Sequence, residues 1–238
     1  MTISRSTDDN GIATLVMDDG KVNAFDIAFF HDLDGAFDAC SQDNGIVLTG
    51  REGMFSAGLN MKTMATLDDD GMTEMLVAFG RTMLRVWLEP RPVVAAVSGH
   101  AIAGGTILAM ACDHAVAAEG DYRWGLTETT IGFPLPEWII AIARGNVAAH
   151  HLDDLLLPGR MVGPAEAVEV GFADALVTPD QAMEAATARC RDLVALPRAT
   201  YAETKRRLRG DAVSAVLAGM EADIRALLSQ RGVPAAST

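Results

Sequence analysis

The 238-residue sequence predicts an α/β domain with largely parallel strands, followed by a helical C-terminal region. The first observation is that short apolar runs rich in β-branched residues alternate with segments of helical period. The second is that the helical period continues without further strands from Asp180 onward. Hydrophobic residues make up 50% of the chain, enough for a large buried core. We therefore predict a core over residues 1–195 and a helical region over residues 196–238.

Each element is predicted from its own apolar pattern. Strands are predicted where apolar runs lie between turn residues, at 11–17, 45–50, 92–99, 114–119 and 174–178. Helices of the core are predicted where apolar residues recur every three or four positions, at 26–40, 71–88, 104–111 and 164–170. In the C-terminal part, helical period covers 181–196 and, after Pro197, the two stretches 198–210 and 212–230. Residues 231–238 are predicted to be a frayed tail.

The charge balance is strongly acidic. Lysine and arginine total 19 against 32 aspartates and glutamates, a formal net charge of −13. This charge argues against a broad nucleic-acid or anionic-membrane surface. The longest apolar runs are too short or too rich in glycine to span a bilayer, and the N-terminus lacks the apolar segment of a signal peptide. We expect a cytoplasmic protein that binds neither nucleic acid nor membrane.

Cysteine, histidine and serine spacings exclude several other site types. Cys40, Cys112 and Cys190 form no C-x-x-C pair, so neither a disulfide framework nor a thiolate metal site is expected. The histidines show no H-E-x-x-H or other ligand spacing, and no metal is predicted. G-x-S-x-G is absent because Met54 occupies its first glycine position before Ser56, which disfavours a serine esterase.

The stretch GHAIAGGTIL, residues 99–108, nearly matches a phosphate-binding loop. Gly99, Gly104 and Thr106 fill the fixed positions of G-x-x-x-x-G-K-[ST], but Gly105 stands where the lysine must be, so nucleotide hydrolysis is not expected. What remains is a strand ending at Ser98, a turn of small residues and an apolar helix beginning near Gly104. The first N–H groups of a helix have no internal partner and can bind a negative oxygen. The alternative is a glycine turn that only packs the helix tightly on the sheet.

A second turn of small residues, FSAGLN at residues 55–60, follows another predicted strand. Two such turns after parallel strands are able to direct two backbone N–H donors at one oxygen. With this pair the chain resembles the crotonase, or enoyl-CoA hydratase/isomerase, family. The resemblance covers roughly residues 10 to 210, and five stretches in the family order carry it: DDGKVNAF (18–25), GMFSAGLNMKTM (53–64), PVVAAVSGHAIAGGTILAMACDHAVAA (92–118), GLTETTIGF (125–133) and GPAEAVEVGFADALV (163–177).

The resemblance implies a spiral of ββα repeats whose C-terminal helical region assembles homotrimers or dimers of trimers. It also implies an acyl-CoA thioester as the substrate and no separate cofactor, since coenzyme A is part of that substrate. The family stabilises a thioester enolate in an oxyanion hole. Matched by position, its two donors are the backbone N–H groups of Leu59 and Gly104. Removing one such donor typically costs on the order of 10²–10³ in rate.

The resemblance also assigns a catalytic base. Family hydratases hold a water between two glutamates; the first position here is Ile107 and the second is Glu128. Because one carboxylate is enough to move a proton from C2 to C4, the sequence favours a 3,2-enoyl-CoA isomerase. An enoyl-CoA hydratase whose missing acid comes from elsewhere, for instance Glu137, is the alternative. The second alternative is a non-catalytic acyl-CoA-binding protein. Partial burial is expected to raise the pKa of Glu128 toward the range of a general base.

Further residues match positions that surround coenzyme A and its acyl chain. Besides Leu59 and Gly104, the predicted acyl-CoA-binding residues are Lys21, Val22, Ala24, Ala57, Asn60, Met61 and Lys62. Lys21 and Lys62 are candidates for the phosphates, or else are solvated surface lysines. Asn60 replaces the usual family aspartate, which removes a charge beside the pocket. Trp124 and Trp138 are candidates for the acyl pocket, although a core position is the favoured interpretation.

Overall fold

The computed structural model describes residues 2–229, and the predicted tail lies outside this range. The strands are β1 (Thr2–Thr7), β2 (Ile12–Asp18), β3 (Ala24–Phe25), β4 (Gly45–Thr49), β5 (Gly53–Ser56), β6 (Gly58–Leu59), β7 (Val93–Val97), β8 (Gly99–Ile102), β9 (His114–Ala118), β10 (Trp124–Gly125) and β11 (Ala175–Val177). The helices are α1 (Ile27–Ala39), α2 (Met61–Met64), α3 (Asp69–Leu88), α4 (Gly104–Ala111), α5 (Glu137–Arg144), α6 (Leu152–Leu156), α7 (Pro164–Val170), α8 (Ala182–Val194) and α9 (Arg198–Ser229). None of these helices is long and apolar enough to cross a membrane.

The chain winds as a spiral. The turns that begin with β2, β4, β7 and β9 each add one strand to a large sheet, one or two short strands to the smaller sheets, and at least one helix, and the turn that begins with β11 adds a strand and a helix. The large sheet has the order β1-β2-β4-β7-β9-β11 and is parallel except for the β1–β2 pair. The smaller sheets have the orders β10-β8-β5 and β3-β6, and their pairs are parallel. The arrangement agrees with the predicted spiral of ββα repeats.

The large sheet is covered on both faces. Along β7, the side chains of Val93, Ala95 and Val97 enter the main core, which also contains buried residues of α1, α3, α4, α5 and α9. The alternate residues Val94 and Ala96 belong to a smaller cluster with residues of α8. Burial on both faces explains why the central strands appear in the sequence as continuous apolar runs.

Most predicted elements are present with boundaries shifted by one or two residues. The prediction for residues 99–103 is wrong, since they do not form a turn directly after one strand. Gly99–Ile102 is a separate strand, β8, that pairs with β5 and β10. A Cβ on Gly99 would lie 2.0 Å from the carbonyl carbon of Gly53, so only glycine allows this approach.

Helix α9 is one continuous helix that packs on the core. It contributes Val213, Met220, Ile224 and Leu228 to the main core. Near its beginning, the buried Lys205 ammonium donates to the carbonyl oxygen of Glu89 at 2.5 Å and to a carboxylate oxygen of Asp113 at 2.5 Å. The N–H of Val93 donates to the same Asp113 oxygen at 2.9 Å. Lys205 therefore connects the helix to the beginning of β7.

Candidate active site

Strand β6 and the first turn of α4 lie side by side, and each carries one of the two backbone N–H groups predicted as donors. The N–H of Asn60 donates to the carbonyl of Phe25 at 2.7 Å. Because N–H groups alternate in direction along a strand, the N–H of Leu59 faces away from β3. In α4 the first turn closes with the N–H of Ile107 donating to the carbonyl of Ala103 at 3.1 Å. Gly104 is the first residue of that helix, so its N–H has no intrahelical acceptor and lies at the positive end of the dipole.

Gly58 brings the two segments together. Its φ is +81°, and a Cβ at this position would lie 2.7 Å from the Gly104 nitrogen. Ala103, just before α4, has φ +50°, a strained value for alanine, and its N–H donates to the carbonyl of Gly125 at 2.8 Å. The close approach therefore requires glycine on β6 and a strained turn on the α4 side.

Three buried polar side chains that the sequence analysis missed hold these turns in place. The Ser56 hydroxyl donates to the carbonyl of Asn23 at 2.7 Å and accepts from the N–H of Gly58 at 3.0 Å. The Asn23 amide donates to three carbonyls in neighbouring segments, those of Met17 at 2.9 Å, Phe55 at 3.1 Å and Met54 at 3.4 Å. Thr106, at the beginning of α4, accepts from the N–H of Gly125 at 2.9 Å. The only signal in the sequence is that these small polar residues lie inside otherwise apolar or glycine-rich turns.

Glu128 is the first residue of a short 3₁₀ turn, Glu128–Ile131, and its side chain is buried with 9% exposed. Its Oε2 atom has no hydrogen-bond partner in the part of the chain that the structure describes. Burial raises the pKa of this carboxyl from 4.5 to about 7. A carboxyl with this pKa exchanges a proton readily at neutral pH, as a general base requires. The expected increase in pKa is therefore confirmed.

A cavity of about 170 Å³ joins these groups. Its wall contains Leu59, Gly104 and Glu128 together with Ala57 and Met61, so five of the predicted site residues meet there. Its buried end is formed by Leu76, Phe79, Trp138 and Ile139. Met61 and Ile131 are 54% and 56% exposed, and they mark its opening to solvent. Trp138 is thus both a core residue and part of the cavity wall, whereas Trp124 is fully buried elsewhere.

The other predicted binding residues do not line this cavity. Lys21 and Lys62 are exposed, and Val22 is 44% exposed. Ala24 lies on β3. Asn60 caps α2, its side-chain oxygen accepting from the N–H of Lys62 at 3.1 Å. Contacts of these five residues with coenzyme A stay predictions.

Neither position considered for a second acid adds a carboxylate to the cavity. Ile107 is fully buried in the main core and does not line the cavity. Glu137 is exposed at the beginning of α5, while its neighbours Pro136 and Trp138 line the cavity. Among the residues described, Glu128 is the only aspartate or glutamate in the cavity wall. In residues 2–229 no group of three or more His, Cys, Asp or Glu side chains is placed to hold a metal ion.

Comparisons with known proteins agree with this architecture. A family model described as "Enoyl-CoA hydratase/isomerase" matches residues 7–231. The chain is 27% identical to human "Enoyl-CoA delta isomerase 1, mitochondrial", with 92% of this chain and 74% of the human protein aligned. It is 39% identical to a "Putative enoyl-CoA hydratase" of Thermus thermophilus, over 66% of this chain and 64% of that protein.

Solved structures show the same fold. The crystal structure of human mitochondrial delta3-delta2-enoyl-CoA isomerase superimposes with a TM-score of 0.92 at 26% identity, over 95% of this chain and 90% of the human one. An enoyl-CoA hydratase from Mycobacterium ulcerans gives a TM-score of 0.89 at 28% identity, over 95% and 99% of the two chains. The family match and these two folds lead to one conclusion: the chain belongs to the enoyl-CoA hydratase/isomerase, or crotonase, family.

Proposed function

We propose that this chain is a 3,2-enoyl-CoA isomerase that uses Glu128 as its single proton-transferring group. The observation that supports the proposal best is that Glu128 is the only carboxylate lining the described cavity, where it faces the same space as the Leu59 and Gly104 backbones. The relatives carry both names, isomerase and hydratase, so the choice between them depends on the carboxylates of the site.

The proposed reaction moves one proton and one double bond. The thioester carbonyl of a 3-enoyl-CoA accepts hydrogen bonds from the N–H groups of Leu59 and Gly104. The Glu128 carboxylate removes a proton from C2, and the electron pair of that C–H bond delocalises into the thioester as a dienolate. The protonated Glu128 then returns the proton to C4, where the electron pair of the C3–C4 double bond forms the new C–H bond. The enolate pair closes the C2–C3 double bond, the thioester carbonyl re-forms, and the carboxylate is regenerated. The two N–H donors and the dipole of α4 stabilise the negative oxygen of the intermediate.

Hydration of a 2-enoyl-CoA makes a different demand. A water molecule has to be held, deprotonated and added to C3, and the family's hydratases use two glutamates for this purpose. The described cavity is predominantly apolar around Glu128, with Phe133, Trp138 and Ile139 in its wall. Neither Ile107 nor Glu137 supplies the second carboxylate. These features support isomerisation over the hydratase alternative.

One assay tests the proposal. The purified protein is offered a 3-enoyl-CoA and the corresponding 2-enoyl-CoA in separate reactions. The two isomers are separated chromatographically against standards, and addition of water is detected by mass. We expect conversion of the 3-enoyl substrate to an isomer of the same mass and no gain of water with the 2-enoyl substrate. Formation of a 3-hydroxyacyl-CoA as the main product would establish the hydratase alternative. Binding of both thioesters without conversion would establish the non-catalytic alternative.

The remaining expectations are part of the same proposal. An acyl-CoA thioester is the ligand, with its phosphates near Lys21 or Lys62, and no separate cofactor takes part. Residues 196–238 are proposed to assemble homotrimers or dimers of trimers, and the protein is proposed to act in the cytoplasm.

A further inference from the structure

A second apolar space lies behind the wall of the active-site cavity. It is an open groove of about 600 Å³ next to the segment that follows Glu128. Leu135 and Ile140 line it from α5 and the residues before it, and Leu152, Leu156 and Leu157 line it from α6 and its C-terminal end. Leu157 is 69% exposed, so the groove is open to solvent. Its aliphatic lining has the chemistry of a hydrocarbon-binding surface.

Phe133 separates the groove from the cavity. It is the one residue in the described part of the chain that lines both spaces, and only 5% of its surface is exposed. Its N–H donates to the carbonyl of Glu128 at 3.0 Å, so the separating segment is also the one that positions the carboxyl. At this point the wall between the two spaces is a single residue thick.

Among the described residues, packed aromatic rings close the Phe79 side of the cavity. The ring of Phe79 stacks on Phe30 with centroids 5.2 Å apart and meets Trp138 edge-on at 4.8 Å. Phe25 and Phe29 extend this packed aromatic cluster into the core, with their own centroids 4.1 Å apart. A longer ligand therefore has room to extend on the Phe133 side and not on the Phe79 side.

We propose that Phe133 sets the upper limit on acyl chain length, because its ring closes the cavity toward the groove. This inference rests on the proposed acyl-CoA function. For scale, an apolar cavity of about 150 Å³ takes one benzene molecule, so the cavity here accommodates about six chain carbons. Longer acyl chains fit only when the Phe133 ring is removed and the chain continues along Leu135 and Ile140.

The test is the chain-length profile of Phe133→Ala, measured as kcat/KM on 3-hexenoyl-CoA and 3-dodecenoyl-CoA with the full-length protein. Burial of each further methylene raises kcat/KM about fourfold. Two newly accommodated methylenes therefore raise the dodecenoyl-to-hexenoyl ratio of kcat/KM at least about tenfold. If the alanine variant folds poorly, Phe133→Leu replaces it. This variant keeps an apolar side chain in the same place, and a smaller increase in the dodecenoyl-to-hexenoyl ratio is expected. Leu157→Ala with Phe133 intact is the matched control, since it alters the groove while the Phe133 ring still closes the cavity, and its ratio is expected to stay as in the wild type.

A double variant connects the effect to the groove itself. Ile140→Trp added to Phe133→Ala fills the groove without lining the cavity, and it is expected to abolish the gain on the longer substrate. An unchanged ratio in both Phe133 variants, or a wild type that already converts both substrates equally well, overturns the inference and leaves the isomerase proposal standing. A wild type that converts neither 3-enoyl-CoA contradicts the proposed function instead.

Discussion

Replacing Glu128 with glutamine is expected to stabilise the folded protein at neutral and alkaline pH. The side chain is 9% exposed, and its Oε2 has no hydrogen-bond partner within residues 2–229. Burial raises the pKa of this carboxyl from 4.5 to about 7. At pH 8 the folded protein therefore holds a buried carboxylate that is better solvated in the unfolded chain. A neutral amide of nearly the same shape removes this cost.

The sign and the size of this stabilisation follow from the pKa of the Glu128 carboxyl in the unfolded chain, 4.5, and in the folded protein, about 7. The favourable contribution of the protonated, buried Glu128 is fully present below pH 4.5, and it is lost as the pH rises through about 7. The difference between the two pKa values corresponds to about 3 kcal/mol, at about 1.4 kcal/mol for each tenfold change in the protonation equilibrium. We expect the free energy of unfolding of Glu128→Gln, minus that of the wild type, to increase by about 2 to 3 kcal/mol between pH 5 and pH 8.

Urea unfolding at fixed protein concentration measures this difference at pH 5, 6, 7 and 8. Glu137→Gln is the matched control, because it makes the same chemical change on an exposed side chain nearby. For this control we expect no comparable dependence on pH. If the difference between Glu128→Gln and the wild type is the same at pH 5 and pH 8, the carboxyl is not held in an environment that disfavours its charge.

Three further predictions concern the donors, the base and the C-terminal helix. Gly58→Ala places a methyl group 2.7 Å from the Gly104 nitrogen and is expected to lower turnover at least ~10²-fold. Gly53→Ala is its control, because Gly53 has a similar φ of +76° and open space around it; its turnover is expected to stay within a fewfold of the wild type. The kcat/KM for isomerisation is expected to fall about tenfold for each pH unit below about 7 and to level off above it, because Glu128 has to be ionised to remove a proton. A kcat/KM that is constant from pH 5 to pH 8 would argue against Glu128 as the base. Lys205→Met removes the buried ammonium that donates to the carbonyls of Glu89 and Arg91 and to the Asp113 carboxylate. It is expected to lower the free energy of unfolding by about 3 kcal/mol or more, measured by urea denaturation. A loss below about 1 kcal/mol would show that this contact does not hold α9 on the core.

The sequence predicts best those elements whose signals are local. The beginning of α4 at Gly104 is predicted to the residue, because its first two residues are glycines that are followed directly by an unbroken apolar segment. Asp26 correctly marks the beginning of α1, where its carboxylate accepts from the N–H of Phe29 at 2.9 Å. Strand β8 is missed because its residues become a strand only by pairing with β5 and β10, segments far away in the chain. Pairing of this kind leaves no pattern in a short window of sequence.

The candidate site shows the same difference between residues with a local sequence signal and features that depend on long-range packing. Leu59, Gly104 and Glu128 are identified from motifs, and the structure brings all three to one cavity. The buried end of that cavity combines Phe79 of α3 with Trp138 of α5, and their contact depends on how α3, α5 and α9 pack together. The sequence therefore predicts groups that line one cavity, but not the shape of that cavity.

Turnover of Glu128→Gln with a 3-enoyl-CoA tests the central claim most directly. Wild type and variant are compared at saturating substrate, the 2-enoyl-CoA product is separated chromatographically from the 3-enoyl substrate against standards, and binding of a saturated acyl-CoA is measured separately as a control for folding. We expect the variant to bind acyl-CoA like the wild type and to lose at least ~10²-fold in isomerisation, since an amide cannot carry the proton from C2 to C4. Near-normal isomerisation by a folded variant would contradict the claim that Glu128 is the proton-transferring group.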